Sequence, residues 1–256
     1  MNEHLKPQSV SQQADELEEH MMHELERVYT RSTLSYLADG EYKKMDTSAS
    51  AWAKNPKAIF NMGPDPRLPP MPAKPTLIDY FKCRFASTSH LLQSATHALK
   101  GGHSEKVVLA CLLHDIAVVS FIRCDHGYWG AQMIEPYVDE EVSWAVRTHQ
   151  ALRFFPDEAA GYPYPEMYVK LFGDDYKPEP YIVAEYERAR NHKWYMSSRL
   201  ICVNDIYSFD PNMKVNLDDF VDIVGRNFRQ PEEGLGFDNS PASHMWRTMM
   251  WPNRFL

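Results

Sequence analysis

Between Ser104 and Ala117 the chain reads SEKVVLACLLHDIA. From Val107 to Leu113 there is no polar break, so a helix here is apolar nearly all round and has to sit at the centre of a bundle. Gly101-Gly102 stops the preceding segment and Ser104 supplies an N-cap oxygen. The run ends in His114-Asp115. Drawing an adjacent imidazole and carboxylate into apolar surroundings is costly unless each finds a partner. A His–Asp hydrogen bond or a helix-end cap is one solution, and for an isolated dyad it is the ordinary one. A metal ion that accepts both groups is the other.

The surrounding pattern is helical. Ser87–Lys100 carries Leu91, Leu92, Ala95, Ala98 and Leu99 at helical spacing. A third helix is expected over Gly127–Glu135, ended by Pro136. A fourth begins at Asp139, with acid in its first turn and arginine in its last. An aromatic-rich loop is expected from Tyr162 to Tyr176. A long helix is expected from Pro180 to Tyr207, with a possible break near Asn191, and Asn216 caps a last one, LDDFVDIVGRNF. No alternating β-branched run competes, so the fold class is all-α. Residues 76–256 read as one catalytic core with a C-terminal helical extension. Residues 1–75 read as an N-terminal helix followed by an extended, proline-rich arm, either a cover over a site or a linker.

Composition narrows the function classes. At 256 residues with 44% hydrophobic and 24% charged residues, the chain has the makings of a globular core. No stretch approaches the ~20 apolar residues of a membrane span, and the acidic start lacks the apolar run of a secretory signal. The expected setting is cytoplasmic, with no membrane partner. A net charge of −8 argues against nucleic acid as a partner. The four cysteines show no CxxC spacing, so a zinc-thiolate site is not expected and the eleven histidines carry any metal chemistry.

Three other chemistry-bearing residues, His90, His149 and Asp205, follow or punctuate apolar stretches, and a fourth, His126, stands at a helix start. Each taken alone reads as a core or capping residue, and Asp205 could pair with Arg199. Together with the dyad they offer four imidazoles and two carboxylates from five helices. Such a nitrogen-rich set suits iron, manganese or zinc rather than calcium or magnesium, and six ligands suit two ions better than one.

The run SHLLQSATHALKGGHSEKVVLACLLHDIA resembles the H…HD signature of the HD-domain superfamily, over about Pro75 to Asp210. The additional His126 and His149 resemble its two-metal branch. SHLLQ, HGYWGAQMIEP and VRTHQALRFF are similar to the ligand segments of phosphonate-cleaving HD oxygenases, and NDIYSF is similar to the last-ligand segment of myo-inositol oxygenase. The resemblance implies a helical bundle around two iron ions (Fe2+/Fe3+) with O2 as co-substrate. His90, His114, Asp115 and Asp205 would hold one iron, and Asp115 would bridge to a second held by His126 and His149. The implied reaction is oxidation or cleavage of a C–C or C–P bond next to a hydroxyl in a small polar substrate. The alternative is an HD-type metal-dependent phosphohydrolase acting on a phosphoester or nucleotide with the same six residues. A third reading is an HD-fold binding protein in which the histidines do not converge.

The chain departs from the oxygenases at Ala117 and Val118, where they carry a basic residue after the HD dyad. A basic substrate contact would then come from Arg123, Arg153 or Lys193, and Tyr80 stands where the phosphonate enzymes place a lid tyrosine. The aromatic stretch GYPYPEMYVKLFGDDY reads as a pocket wall or as loop packing. His20 and His23 read as a solvated helix face. Met245, Trp246, Met249, Met250 and Trp251 read as a tail packed on the core or as a homodimer contact.

Overall fold

The computed structural model describes residues 69–85, 88–118, 125–206, 208 and 212–251. The expected N-terminal helix, most of the arm, His20, His23 and Arg123 lie outside the described residues.

Ten α-helices run through the described residues, with no strand among them. They are α1 (Leu77–Cys83), α2 (Thr88–Lys100), α3 (Glu105–Leu113), α4 (His126–Ile134), α5 (Glu140–Leu152), α6 (Glu166–Phe172), α7 (Pro180–Ala189), α8 (Tyr195–Asp205), α9 (Val221–Asn227) and α10 (Ser243–Met250). Short 3-10 turns at Glu158–Ala160 and Leu217–Phe220 join α5 to α6 and α8 to α9. None of these helices is long and apolar enough to cross a membrane. The all-α expectation is met.

α3 is the axis of the bundle. Every residue from Val107 to Leu113 is buried, and α3 packs against α2, α5, α8 and α9. α8 crosses α5 over the largest shared surface and also touches α2 and α3, while α4 lies along α5. Ser104 accepts a hydrogen bond from the Val107 amide and so starts α3 as its residue type requires. At the other end the helix stops at Leu113, and His114 is its C-cap. The dyad therefore stands at the end of α3, where its side chains meet His90 of α2, His149 of α5 and Asp205 of α8.

One helix departs from expectation, and the possible break near Asn191 is observed. The aromatic stretch contains α6, whose first turn follows Pro165 and whose end is Gly173 at φ 90°. The long helix near the C-terminal half is two helices, α7 and α8, separated by a turn over 190–194. α10 joins the core: Trp246 and Met250 are fully buried, and the Trp246 indole donates to the Met133 carbonyl at 2.8 Å. The run packs on the core, as the tail reading expects.

Candidate metal centre

Five elements meet at one point. His90 comes from the first turn of α2, His114 and Asp115 from the end of α3, His126 from the first residue of α4, His149 from the last turn of α5, and Asp205 from the last residue of α8. Two triplets hold ligand atoms within 4.8 Å of one another: His90, His114 and Asp115, and Asp115, His126 and His149. Asp115 belongs to both. Asp205 Oδ1 joins the first triplet, 2.8 Å from His90 Nε2 and 3.5 Å from His114 Nε2. Asp115 Oδ1 lies 3.0 Å from His126 Nε2 and 3.7 Å from His149 Nε2. All six residues singled out in the sequence are thus brought together.

The backbone fixes which ring nitrogen faces inward. His90 Nδ1 contacts the Ser208 carbonyl at 3.1 Å, His114 Nδ1 the Cys111 carbonyl at 2.7 Å, and His149 Nδ1 the Val146 carbonyl at 2.6 Å. A carbonyl oxygen only accepts, so Nδ1 donates in all three rings. In the neutral tautomer each Nε2 then presents a lone pair to the centre. This is how ligating histidines are held, with the distal nitrogen oriented by an acceptor.

The inward atoms fit a cation. His114 Nε2, Asp115 Oδ1 and Asp205 Oδ1 are buried and make no aligned hydrogen bond, despite short distances to neighbouring nitrogens and oxygens. Lone pairs pointing at lone pairs in a buried space repel unless a proton or a metal ion lies between them. In the metal-free cluster the proton takes that place at His114. Burial alone would depress its pKa, but the charges of Asp115 and Asp205 outweigh burial and raise it to about 9. At His149 burial prevails, helped by the neighbouring imidazoles, and lowers the pKa to about 4, so this ring stays neutral. Asp115 and Asp205 are both ionised well below the usual carboxylate range. For each, burial opposes ionisation and is outweighed, at Asp115 chiefly by His114 and at Asp205 chiefly by the Arg153 guanidinium. With the His114 proton displaced, the donor set is imidazole plus carboxylate, which suits a transition-metal cation. These buried groups could hold one or two such ions.

The cluster opens on one side. The His114 and His149 side chains are fully buried, while His90, Asp115 and His126 keep 13%, 16% and 14% of theirs exposed. Among the described candidate ligands, these three are the ones a molecule approaching from solvent would meet first. Two surface cavities, of about 610 and 370 Å³, lie elsewhere, and none of the six residues lines either.

The four expected substrate residues fare differently. Arg153, one residue past α5, reaches the site, where Nη2 lies 3.2 Å from Asp205 Oδ2 and the guanidinium stands 5.5 Å from the Tyr168 ring centroid. It leaves Oδ1 of Asp205 as the oxygen facing the histidines. Tyr80 is a correction. α1 turns Leu77, Tyr80 and Phe81 inward together, and the Tyr80 ring is fully buried 5.2 Å from Trp246. It is a core residue rather than a lid, and its hydroxyl ends 3.4 Å from the Ile116 carbonyl beside the dyad. Lys193 is also corrected. It is exposed in the turn before α8, with Nζ 4.1 Å from the Trp194 ring centroid. α8 separates it from Asp205 by roughly 15 Å at 1.5 Å per residue. Arg123 lies outside the described residues.

Several supports had no individual signal in the sequence. Gly127, next to His126, lets α4 approach α5 so closely that a Cβ there would stand 2.9 Å from the Val146 carbonyl and 3.2 Å from His149 Cε1. The Gly127 amide donates to Gln150 Oε1 at 3.1 Å, tying the start of α4 to the residue after His149. The Cys202 thiol donates to the His149 carbonyl at 3.3 Å. Beyond it, the buried Arg199 donates to the Leu152 carbonyl and the Tyr162 hydroxyl donates to the Arg153 carbonyl, both at 3.0 Å, capping the end of α5. Arg199 takes Asp157, not Asp205, as its carboxylate neighbour. Gly127 stands out in hindsight as a glycine between a ligand and an aromatic pair; the other partners are set by the tertiary fold. No protein-family model matches the chain and no curated protein matches it, so the chemistry of the centre is argued from these six side chains and their supports.

Proposed function

We propose that the chain is an HD-domain metalloenzyme holding two iron ions and using O2 to oxidise or cleave a C–C or C–P bond next to a hydroxyl in a small polar substrate. One observation carries the reading: two ligand triplets share Asp115, and backbone carbonyls orient the histidines to present lone pairs inward. With Asp205, one triplet would hold an ion with four residues and the other would hold an ion with three, Asp115 being common to both. The metals would supply Lewis acidity toward a substrate hydroxyl and redox chemistry toward O2.

The chain's own residues do the rest. His90, His126 and Asp115 keep part of their side chains exposed, so a substrate would approach the centre past them. Arg153 keeps Asp205 ionised and fixes one of its oxygens. The apolar wall of α3 keeps water from the rear of the site, where His114 and His149 are sealed. A mixed imidazole and carboxylate set with few anionic ligands leaves the ions electron-poor, which suits a substrate that coordinates through an ionised hydroxyl.

The test is anaerobic reconstitution with iron followed by controlled oxidation. Two irons per chain with a mixed-valent EPR signal, and substrate-dependent oxygen uptake, support the oxygenase. Turnover of phosphoesters or nucleotides with manganese or cobalt in the absence of oxygen supports the phosphohydrolase instead.

A further inference from the structure

The smaller of the two cavities, about 370 Å³, lies among residues of α4, α5 and α7, and its size is that of a small-molecule site. None of the six candidate metal ligands lines it. Tyr128 and Trp129 of α4 and Tyr181 of α7 supply aromatic walls. The Tyr128 and Trp129 rings stand 5.3 Å apart and nearly perpendicular, at 89°. Tyr128 and Tyr181 keep 42% and 54% of their surface exposed, so ring surface on both helices is open to a ligand.

The polar groups of the lining are of two kinds. The acceptors are engaged within the protein. Asp125 Oδ1 accepts from the Tyr181 hydroxyl at 3.1 Å, while Glu185 pairs with Arg188 and lies 3.7 Å from Arg147 Nε. The donors keep unused capacity. Gln150 Oε1 accepts from the Gly127 amide at 3.1 Å, which fixes the orientation of its side chain and leaves Nε2 as a donor. No described residue accepts from that nitrogen. Arg147 also makes no hydrogen bond to a described residue, since 3.7 Å is too long for one. Its guanidinium lies 5.0 Å from the Tyr128 ring centroid, and a guanidinium stacked on a ring keeps its N–H fork for a planar acceptor. Arg147 and Gln150 are three residues apart on α5, so they share one face of that helix. Both are within reach of solvent, and water satisfies them until an acceptor displaces it.

We propose that this cavity is a second binding site, for a small aromatic carboxylate. The ring would lie on the surfaces of Tyr128, Trp129 and Tyr181, and the carboxylate would accept from Arg147 and Gln150 Nε2. Free donors beside occupied acceptors select an anion over a cation, and the aromatic walls select a flat apolar body over an aliphatic acid. The site goes beyond the metal reading and does not depend on it.

The test is calorimetric titration of the full-length chain with 2-naphthoate, in the presence of a chelator so that the carboxylate cannot bind through a metal ion. The expected result is saturable binding at one site per chain. Arg147→Gln and Gln150→Glu should each bind at least tenfold more weakly, the loss of a hydrogen bond to a charged group. Gln150→Glu keeps an acceptor for the Gly127 amide, and Arg147 gives up only a long, half-exposed ion pair, so both variants should melt near wild type by circular dichroism. Arg190→Gln, at the end of α7 and outside the cavity, should bind as wild type does. 2-Naphthalenemethanol, the ring without the charge, and acetate, the charge without the ring, should each bind at least tenfold more weakly than 2-naphthoate. Absence of saturable 2-naphthoate binding to wild type overturns the proposal. So does wild-type affinity in either Arg147→Gln or Gln150→Glu, an equal loss in Arg190→Gln, or 2-naphthalenemethanol or acetate binding as tightly as 2-naphthoate. None of these outcomes bears on the metal centre, which is tested by its own reconstitution.

Discussion

His126 Nε2 and His149 Nε2 stand 3.2 Å apart. His149 Nδ1 is committed to the Val146 carbonyl, so its Nε2 offers a lone pair, and His126 comes toward it from the start of a neighbouring helix. Two imidazoles on a single ion with metal–nitrogen bonds of about 2.0–2.1 Å approach each other to a similar distance. Replacing either ring should therefore remove one ion and spare the other. His126→Ala and His149→Ala are each expected to lower metal content by about one ion per chain, and Asp115→Ala by both. Plasma emission on reconstituted protein measures this. Full occupancy in His149→Ala would rule out the second site.

Arg153 and Asp205 form a pair in which the carboxylate is almost wholly enclosed. Removing one partner of such a pair leaves an uncompensated buried charge and costs about 3–5 kcal/mol. Arg153→Ala should lose stability of that order in metal-free protein, read from urea unfolding. Added metal should recover part of the loss, because an ion on Asp205 Oδ1 supplies the positive charge that the guanidinium gave. A loss that metal leaves unchanged would separate Arg153 from the centre.

The metal-stripped protein should be most stable near pH 6.5. His149 has a folded pKa lowered to about 4. Between 6.5 and 4 the unfolded chain binds a proton that the folded chain refuses, so stability falls as pH drops. His114 has a folded pKa raised to about 9. Its contribution is complete below 6.5 and is lost as pH rises toward 9. Metal displaces the His114 proton, so the loaded protein should lose the upper limb and bind metal more tightly as pH rises. Thermal unfolding across pH 4–9, with and without metal, checks both limbs; a flat metal-free profile would contradict them.

Gly127 tests the spacing of α4 and α5. A methyl group at this position meets backbone at 2.9 Å, and neither helix can yield without moving a histidine. Gly127→Ala is expected to cost about 1–3 kcal/mol and to reduce occupancy of the site built on His126 and His149 more than that of the other. Comparing its metal content with that of His90→Ala gives the answer.

The sequence made the ligands legible because each follows a strong local signal. Ser104, an unbroken apolar run and a polar dyad at its end define α3 with no tertiary information, and His149 stands out as an imidazole among apolar neighbours. The partners were not legible, since they depend on distant segments. Arg199 looked like a partner for Asp205, but six positions along a helix amount to about 600°, or 240° net, which turns the two side chains to different faces. Arg153, on another helix, took the place. Tyr80 is singled out by its place in the resemblance to the phosphonate enzymes, whereas the capping box at Thr76 starts a helix there that turns the ring inward. Lys193 is singled out only as a basic residue to replace the one missing after the dyad, and it lies in the turn before α8, at the opposite end of that helix from Asp205. α6 escaped notice because prolines at 163 and 165 and Gly173 leave it only a short span, too brief for a periodic pattern.

Apart from the buried Cys111 thiol, α3 carries only apolar side chains along its buried length, yet it sets the aim of the two residues that follow it. Each residue of an α-helix advances the chain by about 100° and 1.5 Å. One residue added or removed between Ser104 and His114 would swing the dyad through more than a quarter turn, away from α2, α5 and α8. Leucine, valine and isoleucine can exchange along this stretch at modest cost, but its length cannot change. The helix works as a gauge block: its chemistry is replaceable, and its dimension is not.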